Sequence, residues 1–298
     1  MSSSTQQLTW LVTGASSGIG LAICQAALAA GHKVGGATRD IAKASAANPD
    51  FAAQGGIWVT IDPGHPDSAA AFAAADKELG GVDVLVNNAG YWYLAGIEDM
   101  REPLLRQQME VSFFGPMRGV RTLLPGMRAR GRGDIVLISS GAGFTGRASR
   151  GAYAAGKWAS EAMHEVLSRE VGGEVGSKLG IKVLIVEPGG FRTTFTSTGT
   201  VDPVNEAYKG TELDKAITLV NNFDEDGLDH YFKGDTAKAA RAILNAIVDG
   251  HDGYLRLVLG PDCYAAMEQK IAELQRDIDA TREVSLSTNL ERWINKAT

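Results

Sequence analysis

The chain has 298 residues and a formal net charge of −6, with 44% hydrophobic and 21% charged residues. This composition is typical of a globular protein with a sizeable core. The mild acidity of the chain gives no sign of the basic patch that binds nucleic acid, so no nucleic-acid partner is expected. The two cysteines are expected to be reduced thiols. No apolar run is long enough to span a bilayer, so no membrane partner is expected. The short polar N-terminus does not resemble a signal peptide, and the chain is therefore expected to be cytoplasmic.

A strand, a glycine-rich turn and a helix come first. The apolar run at 8–13 predicts a buried strand, and the alanine- and leucine-rich segment 21–30, which stops at Gly31, predicts a helix. The turn between them contains Gly14, Ser16, Ser17, Gly18, Ile19 and Gly20. The N–H groups at the start of a helix bind phosphate in this context. The spacing G-x-x-x-G-x-G differs from the commoner dinucleotide fingerprint and from the P-loop.

The same turn also fits G-x-S-x-G at residues 14–18, which is the nucleophile elbow of α/β-hydrolases. A serine hydrolase that uses His251 and a preceding acid is therefore a minor alternative. It is disfavoured because an elbow on the first strand leaves no earlier strand and loop to supply the second oxyanion donor.

Short apolar strands then alternate with helices. Strands are predicted at 33–38, 56–61, 82–86, 134–138 and 181–186, and helices at 41–53, 66–79, 101–130 and 151–171. The helical segment 101–130 is expected to be interrupted at Gly115-Pro116 and at Pro125. Alternation of this kind predicts βαβ units and a parallel sheet, so the fold class is α/β.

The second of these strands ends at Thr38 and Arg39. Near this position a dinucleotide-binding fold places an acid on the ribose 2′-hydroxyl of NAD, or an arginine beside the 2′-phosphate of NADP. Because Thr38 carries no repelling charge and Arg39 follows it, NADP(H) is predicted as the preferred cofactor, with NAD(H) as the alternative. Asp40 is expected to turn toward the N-terminus of the next helix, where an acid is favoured.

Tyr153 and Lys157 lie four residues apart on the predicted helix 151–171, and therefore on one face. A protonated lysine beside a phenol lowers the pKa of the tyrosine. Such a tyrosine exchanges a proton with a carbonyl oxygen or an alcohol near neutral pH. Ser140 follows the strand 134–138, at a carboxyl end of the sheet, where open α/β sheets bind ligands.

The pattern becomes irregular after residue 190. Residues 191–233 mix polar residues, glycines and aromatics around a short helix at 212–221, and they are expected to form a substrate-binding loop. A helix at 236–249 and a last strand at 254–259 follow. Residues 261–298 are a C-terminal extension with a charged helix at 263–283, whose apolar stripe is expected to pack on its own subunit. The whole chain, 1–298, is assigned to a single domain. The histidines lack metal-ligand spacing, so no metal is expected.

Together these motifs resemble those of the short-chain dehydrogenase/reductase family. They are Thr13-Gly14-x-x-x-Gly18-x-Gly20, Asn87-Asn88-Ala89-Gly90, Ser140, Tyr153-x-x-x-Lys157 and Pro188-Gly189 with Thr193, in the family's order and spacing. The resemblance implies one doubly wound, Rossmann-like sheet of seven parallel strands with NAD(P) at the strand ends. It also implies hydride transfer between the nicotinamide and a carbonyl carbon, and a homodimer or homotetramer.

The resemblance assigns roles to individual residues. Tyr153 is the general acid in reduction and the base in oxidation, Lys157 lowers its pKa and binds the nicotinamide ribose, and Ser140 bonds the substrate oxygen. The cofactor is expected along Gly14, Ser16, Ser17, Gly18, Ile19, Gly20, Thr38, Arg39, Asp62, Asn88, Ala89, Gly90, Pro188, Gly189 and Thr193. Ser112 departs from the family's frequent asparagine, whose carbonyl helps hold a water of the proton relay. Pro63 removes a backbone donor beside the adenine.

The sequence thus predicts an NADP(H)-dependent carbonyl reductase or alcohol dehydrogenase with a small-molecule carbonyl or alcohol substrate. Six aromatic residues lie beside the motifs, and about half of them are expected to line a pocket for a bulky apolar or aromatic ketone. They are Tyr91, Trp92, Tyr93, Phe144, Phe191 and Phe195. A dinucleotide-binding sensor or scaffold with little turnover is the alternative, and the intact Ser140, Tyr153 and Lys157 argue against it.

Overall fold

The computed structural model describes residues 6–172, 179–223 and 225–290. Its strands are β1 (Thr9–Thr13), β2 (Lys33–Thr38), β3 (Ile57–Thr60), β4 (Val84–Asn87), β5 (Tyr93–Leu94), β6 (Gly133–Ile138), β7 (Ile181–Pro188), β8 (Thr200–Val201) and β9 (Arg256–Leu259). In this part of the chain, seven strands form one parallel sheet in the order β3-β2-β1-β4-β6-β7-β9. The predicted doubly wound, seven-stranded sheet is confirmed.

Helices cover both faces of this sheet. They are α1 (Gly18–Ala29), α2 (Ile41–Ala47), α3 (Pro49–Ala53), α4 (Ser68–Leu79), α5 (Glu102–Met109), α6 (Gly115–Arg130), α7 (Gly151–Val171), α8 (Glu212–Asn221), α9 (Glu225–Tyr231), α10 (Thr236–Val248) and α11 (Pro261–Ser287). Successive side chains of a strand point to opposite faces. Trp10 and Val12 of β1 accordingly pack with α1 and α10, while Leu11 packs with α4 and α6.

The strand order places a binding crevice between β1 and β4. The chain winds from β1 outward to β3 and then crosses back to β4, so the direction of winding reverses between these two strands. Open α/β sheets bind ligands at such a switch point, outside the carboxyl ends of the strands. The glycine turn after β1, Ser140 after β6 and Gly189 after β7 all lie at this edge.

Two helix predictions needed correction. The predicted helix 41–53 is broken at Asn48, which has φ −136° and ψ 66°, because the proline that follows disfavours helical geometry in the preceding residue. The predicted interruption of 101–130 was wrong, since α5 continues through a π-helical turn, Glu110–Phe114, directly into α6. Pro125 lies inside α6 without ending it.

A small second sheet connects the loop after β7 to the rest of the domain. This second sheet was not predicted. β5 pairs with β8 in parallel. The Tyr93 hydroxyl next to this pair is hydrogen-bonded to Asp202, which also forms an ion pair of 2.5 Å with Arg101. The predicted short helix at 212–221 is confirmed as α8.

The last helix stands away from the sheet along most of its length. Cys263 near its start is buried, but Ile271, Leu274 and Ile278 are 59%, 49% and 63% exposed. The expectation that this stripe packs on its own subunit was therefore wrong for the described residues. Residues 291–298 of the predicted C-terminal extension lie outside them. Within the described residues, none of the helices has the length and apolar character needed to cross a bilayer.

Candidate active site

The glycine turn adopts a conformation that other residues would strain. Gly14 and Gly18 have φ angles of +64° and +57°, in the left-handed region. Gly20 has an ordinary backbone, but a Cβ there would lie 2.4 Å from the Asn88 side chain. α1 begins at Gly18, and its first N–H groups have no acceptor within the helix. The turn therefore directs several N–H donors toward the crevice between β1 and β4.

Thr13 and Asn88 hold this turn against the end of β4. The Thr13 hydroxyl accepts the N–H groups of Asn88 and Ala89 at 2.9 and 3.1 Å. The Asn88 amide in turn donates to the carbonyls of Thr13 and Gly14 at 2.8 and 3.2 Å. Asn88 thus shapes the glycine turn from behind. A Cβ placed on Gly90 would be 3.9 Å from Lys157 Nζ, which brings this segment beside the predicted catalytic helix.

The carboxyl end of β2 carries an exposed arginine and no free carboxylate. The Thr38 hydroxyl accepts the Asp40 N–H at 3.3 Å. Asp40 caps α2, with Oδ1 accepting the Lys43 N–H at 2.9 Å. The predicted turn of Asp40 toward the next helix is therefore observed. Arg39 is exposed, and no carboxylate among the described residues forms an ion pair with it.

The segment after β3, which is expected to lie by the adenine, packs on the start of α6. Asp62 is exposed, and its Oδ1 accepts the Gly64 N–H at 3.0 Å. Pro63 is buried, and its carbonyl oxygen would lie 2.4 Å from a Cβ at Gly115. The proline thus packs on the start of α6 and leaves Asp62 as the polar group of this segment.

Ser140 and Tyr153 meet at the carboxyl end of β6. Ser140 caps a short turn of 3-10 helix, with its Oγ accepting the Ala142 N–H at 3.2 Å. Tyr153 on the first turn of α7 is buried, and its phenol lies beside Ser140. Burial raises the pKa of Tyr153, while Ser140 and the charge of Arg150 lower it. Two hydroxyl groups are thereby placed to act on one substrate oxygen.

Lys157 lies beside this pair but points at the main chain of β6. Its ammonium donates to the Ile138 carbonyl at 2.7 Å and lies 5.8 Å from the centre of the Tyr153 ring. The charge of Arg150 lowers the pKa of the phenol, and the expected effect of Lys157 on that pKa stays a prediction. Burial lowers the pKa of Lys157 itself to about 8.

Ser112 lies in the π-helical turn against α7. Pro116, four residues later, has no N–H to offer its carbonyl, and the Ser160 hydroxyl donates to that carbonyl instead, at 2.5 Å. The Ser112 hydroxyl accepts from Gln108 Nε2 at 2.7 Å. A Cβ at Gly156 would lie 2.7 Å from the Ser112 Cβ, so the two helices touch here. In this structure the carbonyl predicted to hold a relay water is bonded to Ser160.

The end of β7 faces the glycine turn. The Gly189 N–H donates to the Leu259 carbonyl at 2.8 Å, after Pro188 has ended the strand. Thr193 caps the next 3-10 turn, and its Cβ would be 3.2 Å from a Cβ at Gly18. Thr194 donates a hydrogen bond of 3.0 Å to the Ser17 hydroxyl. The loop after β7 therefore lies across the start of α1.

The six aromatic residues divide between cleft and core. Trp92 and Phe195 pack around Tyr153, with Trp92 Nε1 donating to the Phe195 carbonyl at 2.8 Å. Tyr93 was wrongly assigned to the pocket, because it is fully buried and bonded to Asp202. Phe191 packs against Gly234 instead, where a Cβ would lie 2.4 Å from its ring. Tyr91 and Phe144 are half-buried.

Four charged residues close to the catalytic pair were not predicted. They are Arg150, Glu161, Glu187 and Arg256, which lie on α7 or its N-cap, on β7 and on β9. Two of them had a signal in the sequence. Glu161 follows Lys157 by four residues and so shares its helix face, and Glu187 is a lone charge in an otherwise apolar strand end. Arg150 and Arg256 carry no motif that sets them apart from surface arginines.

The positions of its residues argue against the serine hydrolase alternative. Ser16 follows the carboxyl end of β1, whereas His251 Nε2 lies 3.9 Å from Asp134 Oδ1 at the amino end of β6. In a parallel sheet these ends lie on opposite edges. His251 therefore cannot act as the base for Ser16.

Comparison with known proteins gives consistent matches. Residues 9–202 match the family model for short chain dehydrogenases. The oxidoreductase claN of Passalora fulva is 46% identical over 210 residues, which are 70% of this chain and 94% of that protein. The oxidoreductase BOA17 of Botryotinia fuckeliana is 29% identical over 281 residues, 94% of this chain and 98% of that protein.

Solved structures resemble the chain over nearly its whole length. A short-chain dehydrogenase from Streptomyces avermitilis is 37% identical with a TM-score of 0.81, covering 97% of this chain and 100% of that one. A short chain dehydrogenase/reductase from Burkholderia phymatum, solved in complex with NAD, is 23% identical with a TM-score of 0.72. The match covers 91% of this chain and 96% of that one, and at this identity it shows the fold alone.

Proposed function

The chain belongs to the short-chain dehydrogenase family and is an oxidoreductase, and we propose that it uses a nicotinamide dinucleotide, with NADP(H) preferred, to interconvert a ketone or aldehyde and an alcohol by hydride transfer. One observation carries this proposal. Ser140 and Tyr153 lie beside each other at the sheet edge where the start of α1 and Lys157 also lie. A bulky apolar or aromatic ketone is the proposed substrate.

The residues of the crevice fit a dinucleotide. The N–H groups at the start of α1 suit a pyrophosphate, and Arg39 suits a 2′-phosphate because the described residues give it no carboxylate partner. Lys157 lies close enough to Gly90 to hold the ribose of the nicotinamide half. When bound, the cofactor supplies or accepts the hydride, and the protein supplies position and a proton.

Tyr153 is the proposed proton donor in reduction. Burial raises the pKa of its phenol, so at neutral pH the hydroxyl is protonated and can protonate the carbonyl oxygen. Ser140 donates a hydrogen bond to the same oxygen as negative charge develops on it. The charge of Arg150 lowers the pKa of the phenol and so stabilises the phenolate left after proton transfer.

The wall around Tyr153 supports an apolar substrate. The Tyr153 and Phe195 rings lie 5.9 Å apart, and Trp92 joins them with its indole N–H already bonded to a main-chain carbonyl. These rings offer a substrate apolar surface with no unpaired polar group on Trp92. An aromatic or aliphatic ketone is favoured by such a surface.

A panel of three assays tests the proposed function against its alternatives. We expect NADPH oxidation with at least one bulky ketone, a rise in melting temperature with NADPH, and no hydrolysis of p-nitrophenyl esters. A rise in melting temperature with no turnover of any ketone would favour the sensor or scaffold. Ester hydrolysis that is lost in Ser16→Ala would favour the hydrolase.

We predict a preference for NADPH over NADH of at least ~10-fold in kcat/KM. A charge-assisted contact between Arg39 and the 2′-phosphate is worth about 1.5–3 kcal/mol, and a tenfold difference in kcat/KM requires only about 1.4 kcal/mol. Asp40 does not oppose this preference, because its carboxylate is bonded to the Lys43 N–H. Thr38→Asp combined with Arg39→Ala is expected to reverse the order, as measured by steady-state kinetics with both cofactors. The control is Arg39→Ala alone, which should weaken NADPH and leave NADH unchanged. Equal use of both cofactors by the wild type would overturn the role of Arg39.

A homodimer or homotetramer through α6 and α7 is also proposed. The outward face of α7 exposes Trp158 and Val166, 45% and 48%, two helical turns apart. Phe114, 44% exposed, lies at the start of α6. Exposed apolar surface of this kind marks interaction sites, and an isologous pairing would cover it on both copies.

Trp158→Asp is expected to convert the oligomer to a monomer, because the charge would be buried in the interface. Solution scattering at micromolar concentration measures the mass of both forms. Ile271→Asp is the control, since it places the same charge on another exposed apolar residue, on α11. A monomeric wild type, or dissociation by Ile271→Asp alone, would refute an interface on α6 and α7.

A further inference from the structure

Two side chains of α7 contact successive residues at the end of β6. Lys157 donates to the Ile138 carbonyl at 2.7 Å. Glu161, one turn later on the same face, is hydrogen-bonded to the Ser139 hydroxyl. Ser140, which meets Tyr153, is the next residue of the chain. Glu161 therefore joins the helix of Tyr153 and Lys157 to the strand end that carries Ser140.

An arginine of β9 also holds Glu161 in place. Arg256 on β9 donates through Nη1 to Glu161 Oε2 at 2.7 Å and to Glu187 Oε1 at 3.0 Å. Its Nη2 donates to Glu165 Oε2 at 3.0 Å. The fit around Glu161 is tight, because a Cβ at Gly143 would lie 1.8 Å from Glu161 Oε1. Glu161 thus has little freedom to change its orientation.

Glu161 and Glu187 form a buried carboxyl pair bridged by Arg256. Glu161 is 4% exposed and Glu187 is fully buried, and Arg256 Nη1 donates to both. Burial and the charge of Glu161 raise the pKa of Glu187. Burial also raises the pKa of Glu161, whereas its contacts with Ser139 and Arg256 lower it. Because Glu161 accepts from both Ser139 and Arg256, it is the member of the pair better held as a carboxylate.

We propose that Glu161 is a positioning residue of the active site, whose carboxylate fixes the strand end that carries Ser140 and keeps the buried Lys157 in its ammonium form. This inference rests on the proposed dehydrogenase function. Lys157 is 5% exposed, and a buried ammonium needs a nearby negative charge to remain protonated. Glu161 is the negative charge that acts on it.

The direction of the pH effect follows from the charges around Lys157. Burial lowers the pKa of Lys157 to about 8, and Glu161 opposes that fall. Loss of the Glu161 charge should therefore lower the pKa of Lys157 further, so that the ammonium is lost at a lower pH. The other titratable or charged groups facing this cluster are His164, Glu165, Glu187, Arg256 and Cys263.

Glu161→Gln separates this role from a purely structural one. The measurements are the dissociation constant of NADPH from pH 6 to 9, by cofactor fluorescence, and kcat with the best ketone of the panel. In the wild type, NADPH binding should weaken around the pKa of Lys157, and in Glu161→Gln the midpoint should fall by at least about one pH unit, the usual scale for a neighbouring charge. The kcat at pH 7 should fall about 10-fold or more, within the range reported for misplaced catalytic groups.

Two further variants keep the proposal falsifiable if Glu161→Gln fails to fold. Ser139→Ala removes the contact with β6 and keeps the charge, so it should lower kcat and leave the midpoint of NADPH binding unchanged. Glu170→Gln removes an exposed carboxylate from the same helix and should behave like the wild type. An unchanged midpoint in folded Glu161→Gln, or a shifted midpoint in Ser139→Ala, would overturn the proposal. The NADPH titration does not depend on turnover, so an absence of ketone reduction would count against the proposed function alone.

Discussion

Tyr153→Phe is expected to lower kcat for ketone reduction by at least ~100-fold, the lower end of what a positioned general acid contributes. The substitution removes the hydroxyl that lies beside Ser140 and leaves the ring in its contact with Phe195. The NADPH dissociation constant should change little, because the phenol is expected to contact the carbonyl group of the substrate and not the phosphates of the cofactor. Steady-state kinetics and cofactor fluorescence measure the two quantities on one preparation.

Tyr254→Phe is the matched control for this variant. Tyr254 is 44% exposed and precedes the amino end of β9, at the sheet edge opposite Ser140. Removal of its hydroxyl should therefore leave kcat near normal. Near-normal turnover in Tyr153→Phe would remove Tyr153 from the role of proton donor.

Ser140→Ala is the second variant with a large expected effect. Removal of one donor to a developing oxyanion lowers kcat by about 10²–10³-fold, and we expect a fall in this range. The Ser140 oxygen also accepts the Ala142 N–H at 3.2 Å, so the alanine variant loses a turn contact as well. The NADPH dissociation constant should be kept, since the glycine turn lies on another strand.

Ser140→Thr separates the hydroxyl from the turn contact. Threonine keeps an oxygen that can cap the turn and bond to Tyr153, so it should recover part of the lost kcat. A Ser140→Ala enzyme within a few-fold of the wild type would show that Tyr153 acts without this partner. Equal loss in both variants would point to disturbed local structure instead of a missing donor.

The sequence predicted the sheet because the pattern of its strands is local. The strands predicted at 82–86 and 134–138 are short, mostly apolar and bounded by glycine or polar residues, and the structure has them as β4 and β6. The motifs lie directly after these strands, so their meeting at one edge follows from parallel pairing. This is why the positions of Ser140 and Tyr153 relative to the sheet were predictable.

Contacts between distant segments were not predictable in this way. Tyr93 lies three residues after the Asn-Asn-Ala-Gly motif, which favoured a place in the pocket, but its hydroxyl is bonded to Asp202 and Arg101 in the core. The continuity of the helix through Pro116 depends on Ser160 of another helix, which replaces the missing N–H donor at the Ser112 carbonyl. Asp202 is 109 residues from Tyr93, and Ser160 is 48 residues from Ser112.

The charged residues near Ser140 and Tyr153 were also difficult to place from the sequence. The i, i+4 spacing correctly put Lys157 on the face of Tyr153, yet the ammonium is bonded to the Ile138 carbonyl. Arg150, whose charge lowers the pKa of the phenol, carries no motif that points to this role. Spacing along a helix predicts which side chains share a face. The position of the charged group at the end of a long side chain depends on the hydrogen-bond acceptors of a neighbouring strand.

The most direct test of the central claim is the fate of the cofactor's hydride. NADPH carrying deuterium at nicotinamide C4 is incubated with the wild type and the best ketone of the panel, and the alcohol is examined by mass spectrometry. The account predicts one deuterium on the carbon that was the carbonyl carbon, in a product that Tyr153→Phe forms at least ~100-fold more slowly. NADPH binding without a deuterated alcohol from any ketone or aldehyde would contradict it.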